Sequence, residues 1–224
     1  MPPPPDGPGD ATIAAILNPG MSAWLALRWR ARLSPGETVL VLGATGVAGQ
    51  LAVQLAKELG AGRVVAAGRD RELLDNLRDL GADATIPLDQ PDDQLTDAFA
   101  AQTDGGGVQV VVDYLWGHPT EVLIAAVTRR GLTHTAPRLR LVEVGDSAGP
   151  AITLPSQVLR SSGLEIYGSG AGTVPVDAVV KALPEFIDRA ASGALRVNVD
   201  PVPLADVADA WRRDQHGRRL VLLP

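Results

Sequence analysis

From Thr38 onward, short apolar runs alternate with longer segments whose apolar positions recur at helical spacing. Thr38-Val39-Leu40-Val41-Leu42 is a continuous apolar run, the pattern of a strand buried on both faces of a parallel sheet. Val47 to Leu59 offers Leu51, Val53, Leu55 and Ala56 for a buried helix face, and Gly60 suits the residue that closes it. The alternation continues with a strand at Val64–Ala67, a helix over Arg69–Leu80 stopped by Gly81, and a short strand at Ala84–Leu88. It then predicts a helix over 92–102, a strand at Val108–Val112, a helix over 119–129, strands at Leu139–Val144 and Leu164–Tyr167, and a helix over Val176–Ala191. Strands alternating with helices in this way predict βαβ units, hence an α/β fold with a six-stranded, mainly parallel, doubly wound sheet.

The two ends read differently. Residues 1–10 hold five prolines and two glycines, an extended lead-in. Ala11–Leu17 is apolar, but Asn18-Pro19-Gly20 predicts a break before a helix capped by Ser22 and running to about Leu33. Ser34-Pro35-Gly36-Glu37 is a turn. The organisation expected is therefore a lead-in over 1–20, the doubly wound domain over 21–192, and a C-terminal segment over 193–224. In that last segment, strand candidates Leu195–Val199 and Arg219–Leu223 flank a helix over 203–213 as a small βαβ appendix.

Composition narrows the function classes. At 46% hydrophobic and 21% charged, the 224 residues have the profile of a globular protein rather than a disordered one. A formal charge of −6 gives no electrostatic footprint for nucleic acid, and no apolar run is long enough to span a bilayer. The first residues lack a basic stretch followed by an apolar one, so no signal peptide is expected and the cytoplasm is the expected compartment. With no cysteine, disulfides, thiolate zinc sites and cysteine nucleophiles are all ruled out. His118, His134 and His216 show no metal-ligand spacing and are expected at the surface, so no metal site is expected.

The candidate chemistry sits where the first strand meets its helix. Gly43-Ala44-Thr45-Gly46-Val47-Ala48-Gly49 runs from a buried strand straight into a helix, the context of a Rossmann-type dinucleotide fingerprint. Small residues at 44 and 46 permit the tight turn and let backbone approach a pyrophosphate; Gly49 lets the helix pack closely on the strand. The helix N-terminus offers its unpaired N–H groups to the phosphates. No Gly-Lys-Ser/Thr follows, so the loop is not a P-loop. At the end of the second strand, an NAD site usually places Asp or Glu on the ribose 2′-hydroxyl. Here Gly68 leaves room and Arg69 suits a 2′-phosphate, which predicts NADPH over NADH. The plainer reading of the same residues is a solvated Arg69 and an Asp70 that only caps a helix. The ends of the fourth and fifth strands, Tyr114-Leu115 and Gly145-Asp146, are expected at the ribose and nicotinamide, although Tyr114 and Trp116 equally suit packing under a loop.

Together these residues resemble the medium-chain dehydrogenase/reductase superfamily. The resemblance rests on Asn18-Pro19-Gly20-Met21-Ser22-Ala23-Trp24, Ser34–Glu37, the loop at 43–49, Leu80-Gly81-Ala82-Asp83-Ala84, and the tail Val202–Trp211. Ala44 in place of the first glycine makes the loop most similar to the zinc-free quinone oxidoreductase branch. The resemblance implies hydride transfer between NADPH and a quinone, enone or other carbonyl compound, with no zinc. It also implies a GroES-like catalytic domain ahead of the nucleotide domain, whereas this sequence begins in what would be the interdomain segment. Leu220, Val221, Leu222 and Leu223 are then expected to form an exposed apolar patch or to pair with another chain. Leu164–Tyr167 corresponds to the edge strand through which family dimers pair, so a homodimer, or a partner supplying the missing domain, is expected.

Three rival readings remain at this stage. A short-chain dehydrogenase would need Tyr-x-x-x-Lys, but Tyr114 is followed four places on by His118 and Tyr167 by Ala171. A serine hydrolase could use Ser147 in Gly145-Asp146-Ser147-Ala148-Gly149, with Asp188 and His216 downstream, but Pro150 and the extended Ile152–Pro155 follow where a helix should start. A non-catalytic NADP(H)-binding subunit, a sensor or a gene fragment is the third. No catalytic acid is assigned.

Overall fold

The computed structural model describes residues 9–104, 107–129, 137–170, 172–213 and 216–224. Strand β1 (Thr38–Leu42) runs between β2 (Arg63–Gly68) and β4 (Val110–Asp113). Outside β2 lies β3 (Ala84–Pro87); outside β4 lie β5 (Leu139–Glu143) and then β6 (Leu164–Gly168). The order is β3-β2-β1-β4-β5-β6, and every pair is parallel. This is the Rossmann order. Winding reverses between β1 and β4, which opens a crevice beyond the carboxyl ends of those strands.

Alternating side chains of the continuous apolar strands feed two cores. Val39 and Val41 face one, with Trp24 of helix α1 (Asp10–Leu25), Leu51 and Leu55 of α2 (Val47–Glu58), and Phe186 of α7 (Val176–Ala191). Leu40 and Leu42 face the other, with Phe99 of α4 (Asp92–Thr103), Leu123 of α5 (Gly117–Thr128) and Val158 of α6 (Ser156–Ser161). The four strand residues are wholly inaccessible, as a sheet covered on both faces requires.

Several expectations need correction. Asn18-Pro19-Gly20 is not a break. Residues 10–20, expected as extended lead-in, belong to α1, which continues to Leu25 and ends in a π-helical turn at Ala26–Arg30. Pro19 forfeits a helical hydrogen bond, but a Cβ on Gly20 would lie 2.7 Å from Cζ of Phe186. The Pro-Gly pair thus marks the crossing of α1 with α7, where Trp24 and Phe186 also meet edge to face at 6.1 Å. Helix α3 spans only Arg71–Asn76, so Arg69 and Asp70 precede it, Asp70 as its cap. Helix α6 was not foreseen.

The tail departs furthest. Leu195 is a buried core residue rather than the start of a strand. The strands are β7 (Val199–Pro203) and β8 (Arg219–Leu223), paired in parallel, and the helix between them shrinks to a 3-10 turn at Leu204–Asp206 and α8 (Val207–Ala210). This small sheet rests against α1. Of Leu220, Val221, Leu222 and Leu223, only Leu223 is exposed, so the apolar patch expected there is largely covered within the chain. Two buried glutamines on the core side of α2 hold the tail. The Gln54 amide donates to the Arg196 carbonyl at 2.9 Å and accepts from the Arg196 N–H at 2.7 Å. Gln50 donates to the Gly217 carbonyl at 3.1 Å.

Candidate functional site

The crevice at the winding reversal is a cleft of about 950 Å³. Its floor is the loop between β1 and α2. Gly43 takes φ +80°, and its N–H and that of Ala44 both donate to the Ala67 carbonyl, at 3.0 and 2.9 Å. A Cβ on Gly49 would fall 2.2 Å from the Gly43 carbonyl oxygen and 2.6 Å from Ala44 Cα. Close packing of helix on loop is therefore what glycine at 49 permits. Gly46 is different: its added Cβ would meet nothing nearer than the Gly43 oxygen at 3.5 Å, an ordinary contact. Among the described residues nothing demands glycine there, and the space beside it opens into the cleft. Gly46 is also the N-cap of α2 and supplies no side-chain cap, which leaves the first-turn N–H groups facing the cleft.

Thr45, Gly46, Val47 and Gly49 line the cleft, as do Gly68, Arg69, Tyr114 and Leu115. Ala44, Gly145 and Asp146 do not. Ala44 is fully buried in the core, and at the β5 end it is the neighbouring Ser147 that reaches the cleft. Gly68 has no side chain because Thr45 occupies the space: an added Cβ would lie 2.5 Å from Thr45 Cγ2. The Asp70 carboxylate accepts the Leu73 N–H at 3.0 Å, while Arg69 is exposed and makes no ion pair among the described residues.

The third wall depends on a buried carboxylate. Asp113, wholly inaccessible at the end of β4, accepts the N–H groups of Leu115 at 2.8 Å and Trp116 at 3.0 Å, and the Thr120 hydroxyl at 2.5 Å. These bonds hold Trp116 at φ +53°. Burial raises the Asp113 pKa against the opposing pull of those three donors. Burial, with the charges of Asp113 and Asp146 nearby, likewise raises that of Glu143. The loop after β5 is zipped to this corner: Ala148 N–H donates to the Leu115 carbonyl at 2.7 Å and the Ser147 hydroxyl to the Tyr114 carbonyl at 2.8 Å. Tyr114 packs on the α2-side core and Trp116 on the opposite one. The Tyr114 hydroxyl is buried without a hydrogen-bond partner among the described residues, and its pKa is raised by that burial.

Ser147 does not have the setting of a hydrolase nucleophile. Its hydroxyl is committed to a carbonyl, its φ is not in the left-handed region, and residues 150–155 run on without a helix. Of the histidines, His118 pairs with Asp92 at 2.9 Å on the surface, and His134 lies outside the described residues. His216 belongs to a stretch missed from sequence: residues 216–220, with Trp211, form the rim of the cleft. The signal available was Gln50 and Gln54, two amides one helical turn apart on an otherwise apolar face. Among the described residues, no cluster of three or more His, Asp or Glu could hold a metal ion. No helix there is long and apolar enough to cross a membrane.

A glycine loop between strand and helix, at the reversal point of a six-stranded parallel sheet, defines a Rossmann domain. The chain belongs to the zinc-binding dehydrogenase family, whose model matches residues 47–192. Within it the chain is a quinone-oxidoreductase-like member of the medium-chain dehydrogenase/reductase superfamily. It is 31% identical over 222 residues to a probable NADPH-dependent quinone reductase of Emericella nidulans, covering 95% of this chain and 61% of that protein. A mycobacterial protein solved in complex with NADPH superposes with TM-score 0.77 at 25% identity, covering 97% of this chain and 65% of the other. The quinone oxidoreductase of Pseudomonas syringae pv. tomato superposes with TM-score 0.78 at 25% identity, covering 98% and 66%. The chain thus spans about two thirds of the length of these relatives or less.

Proposed function

We propose that this chain is the NADPH-holding part of an oxidoreductase that reduces a quinone, enone or other carbonyl compound. The observation that carries this reading is the glycine loop opening into a cleft in which Gly46 leaves open space and whose exposed Arg69 makes no ion pair among the described residues. The names of the relatives support the cofactor and the substrate class. When bound, NADPH supplies a hydride from its nicotinamide ring. The chain's own residues bind and orient it. The N–H groups at Thr45 and Val47 receive the pyrophosphate beside Gly46, whose own N–H donates to the Gly43 carbonyl at 3.1 Å, with Ala44 and Gly49 shaping the turn. Gly68 and Arg69 receive the 2′-phosphate. Tyr114 and Leu115, backed by Gly145 and Asp146, form the wall beside the nicotinamide ribose. Among the described residues no cluster of donors fits a zinc ion, and no step is assigned to a metal. The reading places the protein in the cytoplasm.

Fluorescence titration of the purified chain is expected to show saturable NADPH binding, with NADH weaker. Arg69→Ser is expected to weaken NADPH about tenfold, the scale of a lost charge-assisted contact, and to leave NADH little changed. Equal affinities for the two cofactors in the unaltered chain would remove the preference. Binding without turnover of any quinone would limit this chain to holding the cofactor.

We further propose a homodimer through β6. It is the last strand of the sheet order, and its outer edge has no partner strand among the described residues. Unpaired edges recruit a second chain. Sedimentation velocity is expected to give a dimer at micromolar concentration, and a monomer throughout would set this aside.

A further inference from the structure

The cleft has a second bank of positive charge, on a segment remote from Arg69 in sequence. We propose that Arg218 is the second arm of the 2′-phosphate site, so that the C-terminal turn, together with the end of β2, sets the preference for NADPH. This rests on the cofactor reading above and goes beyond it.

The geometry brings the two segments together through Gly217. Its carbonyl accepts from the Gln50 amide at 3.1 Å, and the same amide nitrogen donates to the Thr45 carbonyl at 2.9 Å. The C-terminal turn is thereby tied to the glycine loop. Gly217 takes φ +71°, and a Cβ there would lie 2.8 Å from Leu73 Cδ1 and 3.0 Å from the Thr45 oxygen. The turn therefore abuts the first turn of α3, whose cap is Asp70 and whose preceding residue is Arg69. Arg218 follows directly and lines the same cleft as Arg69.

The charges then decide the ligand. Arg69 and Arg218 are both exposed, and neither makes an ion pair among the described residues. Of their neighbours on the tail, Arg212 pairs with Asp209 and Arg213 with Asp200, while Arg219 also lines the cleft but is half-buried in β8. Among the described residues, Asp70 is the only carboxylate that lines the cleft, and it is engaged by the Leu73 N–H. Two exposed guanidinium groups that line one cleft and make no ion pair among the described residues suit a dianionic phosphate bound by charge-assisted hydrogen bonds. The pyrophosphate belongs to the N-terminus of α2, so the group left for this wall is the 2′-phosphate, which NADPH carries and NADH lacks.

The test is titration of the full chain with NADPH and NADH, with 2′,5′-ADP and 5′-AMP as competitors. Arg218→Gln is expected to raise the Kd for NADPH and for 2′,5′-ADP about tenfold, and to leave NADH and 5′-AMP unchanged. Arg218→Lys, which keeps the charge and loses the planar fork, is expected to fall between. Arg213→Gln is expected to change neither cofactor. Equal weakening of NADPH and NADH by Arg218→Gln would assign the residue to the pyrophosphate or to structure and overturn the proposal, as would no weakening of either. An unaltered chain that binds neither cofactor would overturn the cofactor reading, and this inference with it.

Discussion

Gly49→Ala is expected to weaken NADPH binding and to destabilise the chain, whereas Gly46→Ala is expected to weaken binding with the fold retained. The contrast follows from where each added methyl would go. At 49 it meets the Gly43 carbonyl oxygen at 2.2 Å and Ala44 Cα at 2.6 Å, both backbone atoms of the loop. Neither can swing aside as a side-chain end could, so α2 must move off the loop. Overpacking of this kind costs about 2–3 kcal/mol, or roughly 5–10 °C in melting temperature for a chain of this size. At 46 the nearest atom is 3.5 Å away. The expected loss there is under about 1 kcal/mol, the difference between glycine and alanine at an N-cap. The methyl instead occupies the space a pyrophosphate needs, and the Kd for NADPH should rise by more than about tenfold. Thermal unfolding and titration of both variants check this together. If Gly46→Ala binds as well as the unaltered chain, the pyrophosphate does not sit on this loop.

Both glycines were legible in the sequence because the signal was local. Thr38–Leu42 is an apolar run bounded by Gly36 and Gly43, and the loop leads directly into a helix with a regular apolar stripe. Strands buried on both faces leave few alternatives for such a run, and the parallel sheet followed from the alternation. What was not legible depended on partners distant in the chain. Pro19-Gly20 reads locally as a break. It becomes a helix crossing only because Phe186, near the other end, packs where a side chain at 20 would be. The strand expected at Leu195–Val199 has the right residue types, but Leu195 is drawn into the core and Gln54 binds the backbone of Arg196, so pairing with β8 begins only at Val199. Helix α6, at six residues, is too short to carry a periodic signature. At the site, Arg69 could be read from its position after the second strand, whereas Arg218 needed the Gln50 tie between tail and loop.

Asp113, at the end of β4, carries the other large expected effect. Removing its carboxylate in Asp113→Ala leaves the N–H groups of Leu115 and Trp116 and the buried Thr120 hydroxyl without an acceptor. The corner that holds Trp116 at φ +53° and presents Tyr114 and Leu115 to the cleft then has no internal support. Unpaired buried donors cost about 1–3 kcal/mol each, so a total near 3–5 kcal/mol and a fall of roughly 10 °C or more in melting temperature are expected. NADPH binding should weaken in parallel. Asp113→Asn behaves differently. The amide oxygen can accept from Leu115 and Trp116, and the amide nitrogen can donate to Thr120, whose hydroxyl can rotate to accept. The charge, which burial disfavours, is gone.

The pH dependence gives the sign. The folded pKa of Asp113 lies above its ordinary value because of burial. The protonated form is therefore favoured by folding, and that contribution is complete below the unfolded carboxylate pKa. It is lost as pH rises through the folded value. The unaltered chain should accordingly lose stability relative to Asp113→Asn between the acid range and neutrality. The two should converge below about pH 4, where both side chains are uncharged. Melting temperatures measured from pH 4 to pH 8 test the point. An asparagine variant as unstable as the alanine one, with a deficit that grows toward neutral pH, would mean that the ionised carboxylate itself supports the corner, its three hydrogen bonds outweighing the burial of its charge.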